Sequence, residues 1–202
     1  HLLSHSSGIS DYLKKEFQFD YSKEWEPDDI VNVVSDAELE FPPGIGFSYS
    51  NTGYVMLGLI IEKVSGQPYA NYIEEHIFEP SNMLDSMFTV PASVSKAEGH
   101  VEGKGGSFIH NSAAYAAGDI ISTAEDLELF YRALRNNVLI SKEASELMNV
   151  TYAKKFPYQY GYGWFTEDVM GKKAVGHSGG YPSGFRHYVT RLIDEELTVI
   201  VL

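Results

Sequence analysis

Hydrophobic positions along the chain fall into two textures, one with helical periodicity and one that alternates. In the stretch after Pro27, the residues Ile30, Val31 and Val34 share one face of a short helix, with Pro27 in its first turn. Phe41-Pro42-Pro43-Gly44-Ile45-Gly46 then breaks the pattern. The strongest helical signal runs over Asn51–Ser65, apolar nearly all round, with Gly66 where a left-handed C-cap would close it. A helix apolar on every face is expected to be buried. Pro68 opens another helix carrying Tyr69, Tyr72, Ile73 and Ile77. Thr123-Ala124-Glu125-Asp126 resembles a capping box, with Asp in place of the usual Glu, and starts a helix through Leu127, Phe130, Tyr131 and Leu134. Ser141 caps one more.

From Gly161 onward the texture changes. Residues 161–165 and 170–175 read as strands flanking a turn at Gly171-Lys172. Residues 185–192 and 197–202 are apolar runs on either side of Asp194-Glu195-Glu196, a natural hairpin. The fold class that follows is α+β, a helical lobe packed on an antiparallel sheet. Its 202 residues suit a single domain, mainly helical over 1–155 and stranded over 156–202. The chain starts at His1 without an initiator Met and stops inside a predicted strand, so both ends read as cut, with sheet elements expected beyond them.

Charge narrows the partners. Fifteen Lys and Arg against 28 Asp and Glu give a net charge of -13, and no basic run offsets it, so nucleic acid is not an expected partner. The absence of cysteine excludes a disulfide scaffold and a thiolate nucleophile. No stretch approaches the ~20 apolar residues of a membrane span, so membrane attachment is expected only through segments outside the chain. His1 and His5 have the i, i+4 spacing of a metal pair but no accompanying Glu, and no metal or cofactor is expected. Gly99-His100-Val101-Glu102-Gly103-Lys104 falls one residue short of a phosphate-cradling loop and reads as a surface loop.

Three stretches carry candidate chemistry. They are Leu2-Leu3-Ser4-His5-Ser6-Ser7-Gly8-Ile9, Tyr49-Ser50-Asn51 at the mouth of the apolar helix, and Gly176-His177-Ser178-Gly179-Gly180 among the strands. Taken singly, Tyr49-Ser50-Asn51 also reads as a helix cap and His177-Ser178-Gly179-Gly180 as a turn. Ser4-His5 reads as structural, because adjacent residues rarely align as nucleophile and base. The aromatic residues Tyr152, Phe156, Tyr158, Tyr160 and Tyr162 could line a cleft or fill a core.

In order and separation, the three stretches resemble the serine β-lactamase superfamily, in its branch of class C β-lactamases, DD-carboxypeptidases and esterases. Ala117-Gly118-Asp119 and Gly161-Tyr162-Gly163-Trp164 extend the resemblance over nearly the whole chain. It implies acyl transfer to a serine of a Ser-x-x-Lys motif, followed by hydrolysis of the acyl-enzyme. Tyr49 would be the proton shuttle, Asn51 a hydrogen-bond partner of the substrate amide, and His177-Ser178-Gly179 the third motif on an edge strand. The backbone N–H of Gly180 would be one oxyanion donor. The expected ligands are a β-lactam, a D-Ala peptide or an ester, at an extracytoplasmic location. His177, where Lys is the β-lactamase norm, leans toward a peptidase or esterase. The Ser-x-x-Lys motif itself should precede residue 2. The chain's one match, Ser93-Val94-Ser95-Lys96, comes after Tyr49 and reads as coincidence, so the chain alone is expected to be inactive. The alternative is a relative without catalysis that binds peptidoglycan or protein.

Overall fold

In the computed structural model, which describes residues 1–202, three apolar clusters organise the chain. The first lies in the helical lobe, where Tyr12, Ile30, Val34 and Val55 are buried together. They bring together the opening segment, α1 (Pro27–Asn32) and α2 (Asn51–Ser65). The second joins α5 (Ala124–Arg135) to the sheet through Tyr131, Leu134, Trp164, Val175 and Val189. The third, Phe47, Ala153 and Tyr160, with Tyr49 and Phe165 against it, ties the lobe to the sheet beside the candidate site.

Local signals account for much of the lobe. Gly66 closes α2 at φ 73°, its N–H bonded to Glu62 O. α3 (Tyr69–Ile73) follows Pro68 and runs through a π-helical turn, Glu74–Phe78, into the short α4 (Glu79–Ser81). Ser141 accepts a hydrogen bond from Ala144 N at the start of α6 (Lys142–Met148). Thr123 caps α5 by accepting from Asp126 N at 3.1 Å. The reciprocal half of the capping box is not made. Asp126 Oδ2 instead accepts from Asp85 N (2.9 Å) and Ser86 Oγ (2.7 Å), tying α5 to the segment after α4.

Two expectations about exposure and extent are corrected. α2 is buried only where neighbours press on it, at Thr52, Gly53, Val55 and Gly58. Its far face carries Ile60 and Val64, 48% and 83% exposed, because nothing covers the last two turns on that side. Residues 100–105, read as a loop, form a small hairpin of β1 (His100–Val101) and β2 (Lys104–Gly105).

The main sheet is an antiparallel meander in chain order: β3 (Ala153–Lys155), β4 (Tyr158–Tyr160), β5 (Phe165–Val169), β6 (Lys172–Gly180), β7 (Arg186–Leu192) and β8 (Leu197–Val201). It therefore starts at Ala153, before the predicted change of texture. Residues 161–164 bend instead of pairing, and the strand predicted there begins only at Phe165. β6 is flanked on both sides and is not an edge strand, as the third motif had implied. Its pairing with β5, however, ends at Phe165↔Gly176, whereas β7 accompanies it to Gly180↔Arg186. Residues 177–180 thus have one unpaired side within an interior strand.

Candidate active site

The opening segment is unusually polar for a buried stretch: Ser4, His5, Ser6, Ser7 and Ser10 are all inaccessible. Several of its polar groups are paired against residues 40–52. Glu40 N bonds to Gly8 O, Gly44 N to Ser6 O, and Ser48 N to His5 O, at 2.8, 2.8 and 3.0 Å. Ser50 and Thr52 hydroxyls donate to Ser10 O. Ser4 Oγ pairs with Ser6 Oγ at 2.9 Å, so Ser4 and His5 do not act as a nucleophile and its base. The His5 ring points the other way. Its Nδ1 accepts from Ser50 N at 3.1 Å, and its ring lies 4.1 Å from that of Tyr49.

These bonds hold Tyr49 at the start of α2, under the sheet. Its hydroxyl lies 3.5 Å from His177 Nε2, while its ring stacks on Phe165 at 9° between planes. The same His177 nitrogen lies closer, 3.0 Å, to the hydroxyl of buried Tyr160. His177 Nδ1 is 2.6 Å from Ser178 O. A carbonyl can only accept, so Nδ1 carries the proton and Nε2 presents a lone pair to the two phenols. Burial pushes the Tyr49 phenol well above its ordinary range, with smaller contributions from Tyr54 and Asp11. Burial likewise pulls His177 below the imidazole range, against the opposing effect of the Ser178 bond. Left to themselves, both groups are neutral near pH 7.

Asn51 Nδ2 donates to Asp11 Oδ2 at 3.0 Å. That bond fixes the amide plane and leaves Oδ1 and the second Nδ2 hydrogen to serve a ligand. Asp11 is held above the usual carboxylate range by burial.

Along β6 the side chains alternate. His177 pairs opposite Val189 and turns toward Tyr49, whereas Ser178 pairs opposite Tyr188 and faces away. There Ser178, Tyr188 and Val201 help line an open cleft of about 740 Å³. A Cβ at Gly179 would meet the His187 ring at 1.8 Å, so a side chain there would have to displace that exposed ring. The structure thus gathers Tyr49, Asn51 and His177, and gives Gly179 and Gly180 backbone on the unpaired side of β6. Ser93 and Lys96 are exposed, and no hydrogen bond or ion pair ties either of them to these groups.

Two residues join the site that no motif assigned to it, Asp11 and Tyr160, and His5, read as structural within the opening stretch, joins them. Tyr160 was visible only as one of a run of aromatic residues. Asp11, between Ser10 and Tyr12, carried no signal beyond a turn-like polar pair.

Burial holds His5 neutral down to about 3, with repulsion from His177 acting in the same direction. In an NMR pH series His5 should therefore stay neutral across the physiological range, while His177 titrates below the ordinary ~6.5. A midpoint near or above 6.5 for either ring would contradict this electrostatic picture.

The Beta-lactamase family model matches residues 1–202. Penicillin-binding protein 4* of Bacillus subtilis (strain 168) is 31% identical over 226 residues, covering 100% of this chain and 50% of its own length. The octameric penicillin-binding protein homologue from Pyrococcus abyssi superposes with a TM-score of 0.84 at 31% identity, over 99% of this chain and 50% of the other. A D-stereospecific amidohydrolase from Streptomyces sp. gives 0.81 at 29%, over 98% and 65%. The chain spans half the length of the Bacillus relative. With Tyr49, Asn51 and His177 brought to one place and its whole length matched, the chain belongs to the Beta-lactamase family.

Proposed function

We propose that this chain supplies the proton-handling and oxyanion half of a serine acyl-transfer site for amide or ester bonds. The acylated serine would come from a Ser-x-x-Lys segment N-terminal to His1. The observation that carries the reading is the meeting of Tyr49 with His177, 128 residues away in sequence, beside the unpaired side of β6. Electrostatics support the missing-partner part. A phenolate at neutral pH needs a nearby cation. Burial raises Tyr49, His177 is depressed, and no hydrogen bond or ion pair brings a Lys or Arg to Tyr49. The lysine of a Ser-x-x-Lys motif would provide that charge.

In the proposed reaction the serine Oγ bonds to the substrate carbonyl carbon as its proton passes to the Tyr49 oxygen. The developing oxyanion is met by backbone N–H groups, that of Gly180 among them. Collapse breaks the bond to the leaving group, which takes the proton from Tyr49, and water then hydrolyses the acyl-enzyme by the same route. Amides of D-configured residues are the favoured substrate class, in line with the Streptomyces D-stereospecific amidohydrolase. An extracytoplasmic location goes with that class.

The test uses a fluorescent penicillin and a fluorescent fluorophosphonate, read by denaturing gel and intact mass. The 202-residue chain should take up neither probe. The same chain extended upstream by its own coding sequence should carry one adduct, on a serine before residue 1. An adduct on any serine within 1–202, Ser93 included, overturns the assignment. An extended protein inert to both probes and to D-amino acid amides would be a binding relative.

A further inference from the structure

We infer that His5 is a positioning residue for Tyr49, gripping the backbone on both sides of it and bracing its ring. This rests on the reading of Tyr49 as the proton shuttle. His5 uses three different parts of itself. Its carbonyl accepts from Ser48 N at 3.0 Å, its Nδ1 accepts from Ser50 N at 3.1 Å, and its imidazole lies against the Tyr49 ring at 4.1 Å and a 33° tilt. The two hydrogen bonds straddle residue 49: one holds the 49–50 peptide directly, and the other holds the 47–48 peptide one residue upstream. The ring contact, together with Phe165 at 6.4 Å, then limits where the phenol can swing.

Several features mark this as more than core filling. The residue is 1% exposed, and its Nε2 is buried with no partner, so a polar ring has been kept here despite an unsatisfied ring nitrogen. Its backbone sits at φ 52°, a left-handed conformation that a non-glycine side chain adopts at a cost. The bond to Ser50 N–H accounts for a polar ring at this position. Only an acceptor can receive that amide, and the left-handed turn at residue 5 goes with the polar segment bonded along residues 40–50. Because Nδ1 accepts, the proton of neutral His5 is on Nε2. His177, bonded through Nδ1 to a carbonyl, holds the opposite tautomer. Two imidazoles in complementary forms therefore face Tyr49, one orienting its backbone and one receiving its hydroxyl. Placement within a fraction of an ångström matters because a shift of about 1 Å at a reacting group costs on the order of 10²-fold in rate.

Two substitutions separate the parts. His5→Phe keeps a ring against Tyr49 but removes the acceptor for Ser50 N–H. His5→Asn puts an amide oxygen near the place of Nδ1 but removes the ring. Both are made in the upstream-extended protein, alone and with Tyr49→Phe, and the acylation rate constant, KM and thermal midpoint are measured for each. The expected result is a ~10–10²-fold slower acylation for His5→Phe with KM nearly unchanged, and a smaller loss for His5→Asn. In the Tyr49→Phe background neither substitution should slow the reaction further, since the group they position is already gone.

Full additivity of His5→Phe with Tyr49→Phe would reduce His5 to a packing residue and overturn the inference. So would a Tyr49→Phe loss unaccompanied by any His5 effect. If Tyr49→Phe itself changes nothing, the proton-shuttle reading fails first. Should the Phe variant not fold, the Asn variant carries the cycle. Independently, a long-range 1H–15N correlation on the unmodified chain should show His5 with Nδ1 bare and Nε2 protonated; the reverse tautomer ends the proposal.

Discussion

Replacing Tyr49 with Phe in the upstream-extended protein slows acylation by ~10²–10⁴-fold, the usual cost of removing a general base. The ring's contacts with His5 and Phe165 survive the change, and the hydroxyl makes only one long approach, 3.5 Å to His177. The thermal midpoint should therefore hardly move. Stopped-flow acylation by an activated ester and by a penicillin measures the effect directly. The ester separates base loss from leaving-group protonation, because its leaving group needs less help from Tyr49. Unchanged rates with both substrates would remove Tyr49 from the chemistry and point to Tyr160, whose hydroxyl is nearer His177.

The second large effect is structural. Gly8 adopts φ 78°, and a Cβ there would lie 2.1 Å from Phe41 O, a backbone atom with no rotamer to relieve the clash. Gly8→Ala combines a left-handed residue, about 1–2 kcal/mol, with an overpacked contact, about 1–3 kcal/mol. A loss of roughly 2–5 kcal/mol is expected, read as a lower urea midpoint by the fluorescence of the two tryptophans, Trp25 and Trp164. The damage should reach the site as well. Gly8 O, Ser6 O and His5 O accept successive bonds from Glu40, Gly44 and Ser48, so parting the strips at Gly8 loosens the mounting of Tyr49. A midpoint within experimental error of wild type would mean that the two segments can separate freely at this point.

What could be read from the sequence divides along physical lines. α1, α2, the Gly66 cap and the caps at Thr123 and Ser141 depend on neighbours within a turn or two, so residue order announces them. β3 and β4 are three residues each, with one inward side chain apiece, Ala153 and Tyr160, which is too short for alternation to show. The exposed end of α2 was misjudged because apolar content says what can be covered, not what covers it. Tyr49, Asn51 and His177 were legible through the company they keep in short motifs. Asp11 and Tyr160 acquire their roles only from partners brought up by folding, Asn51 from 40 residues away and His177 from 17. The open side of residues 177–180 depends on where β5 stops, a matter of register that neither strand states alone.

The chain-order meander has a consequence for assembly. Every pairing in the β3–β8 sheet joins strands consecutive in sequence, so each loop closes cheaply and the sheet can form early from local contacts. Tyr49 and His177 belong to opposite ends of that process, on a lobe and a sheet that each have their own apolar cluster. Each can be well formed while the small third cluster between them is open. The meeting of Tyr49 with His177 is therefore expected to be the last feature to form on folding and the first to go on heating. Loss of function should precede loss of secondary structure, with the seam at Phe47, Ala153 and Tyr160 as the point of failure.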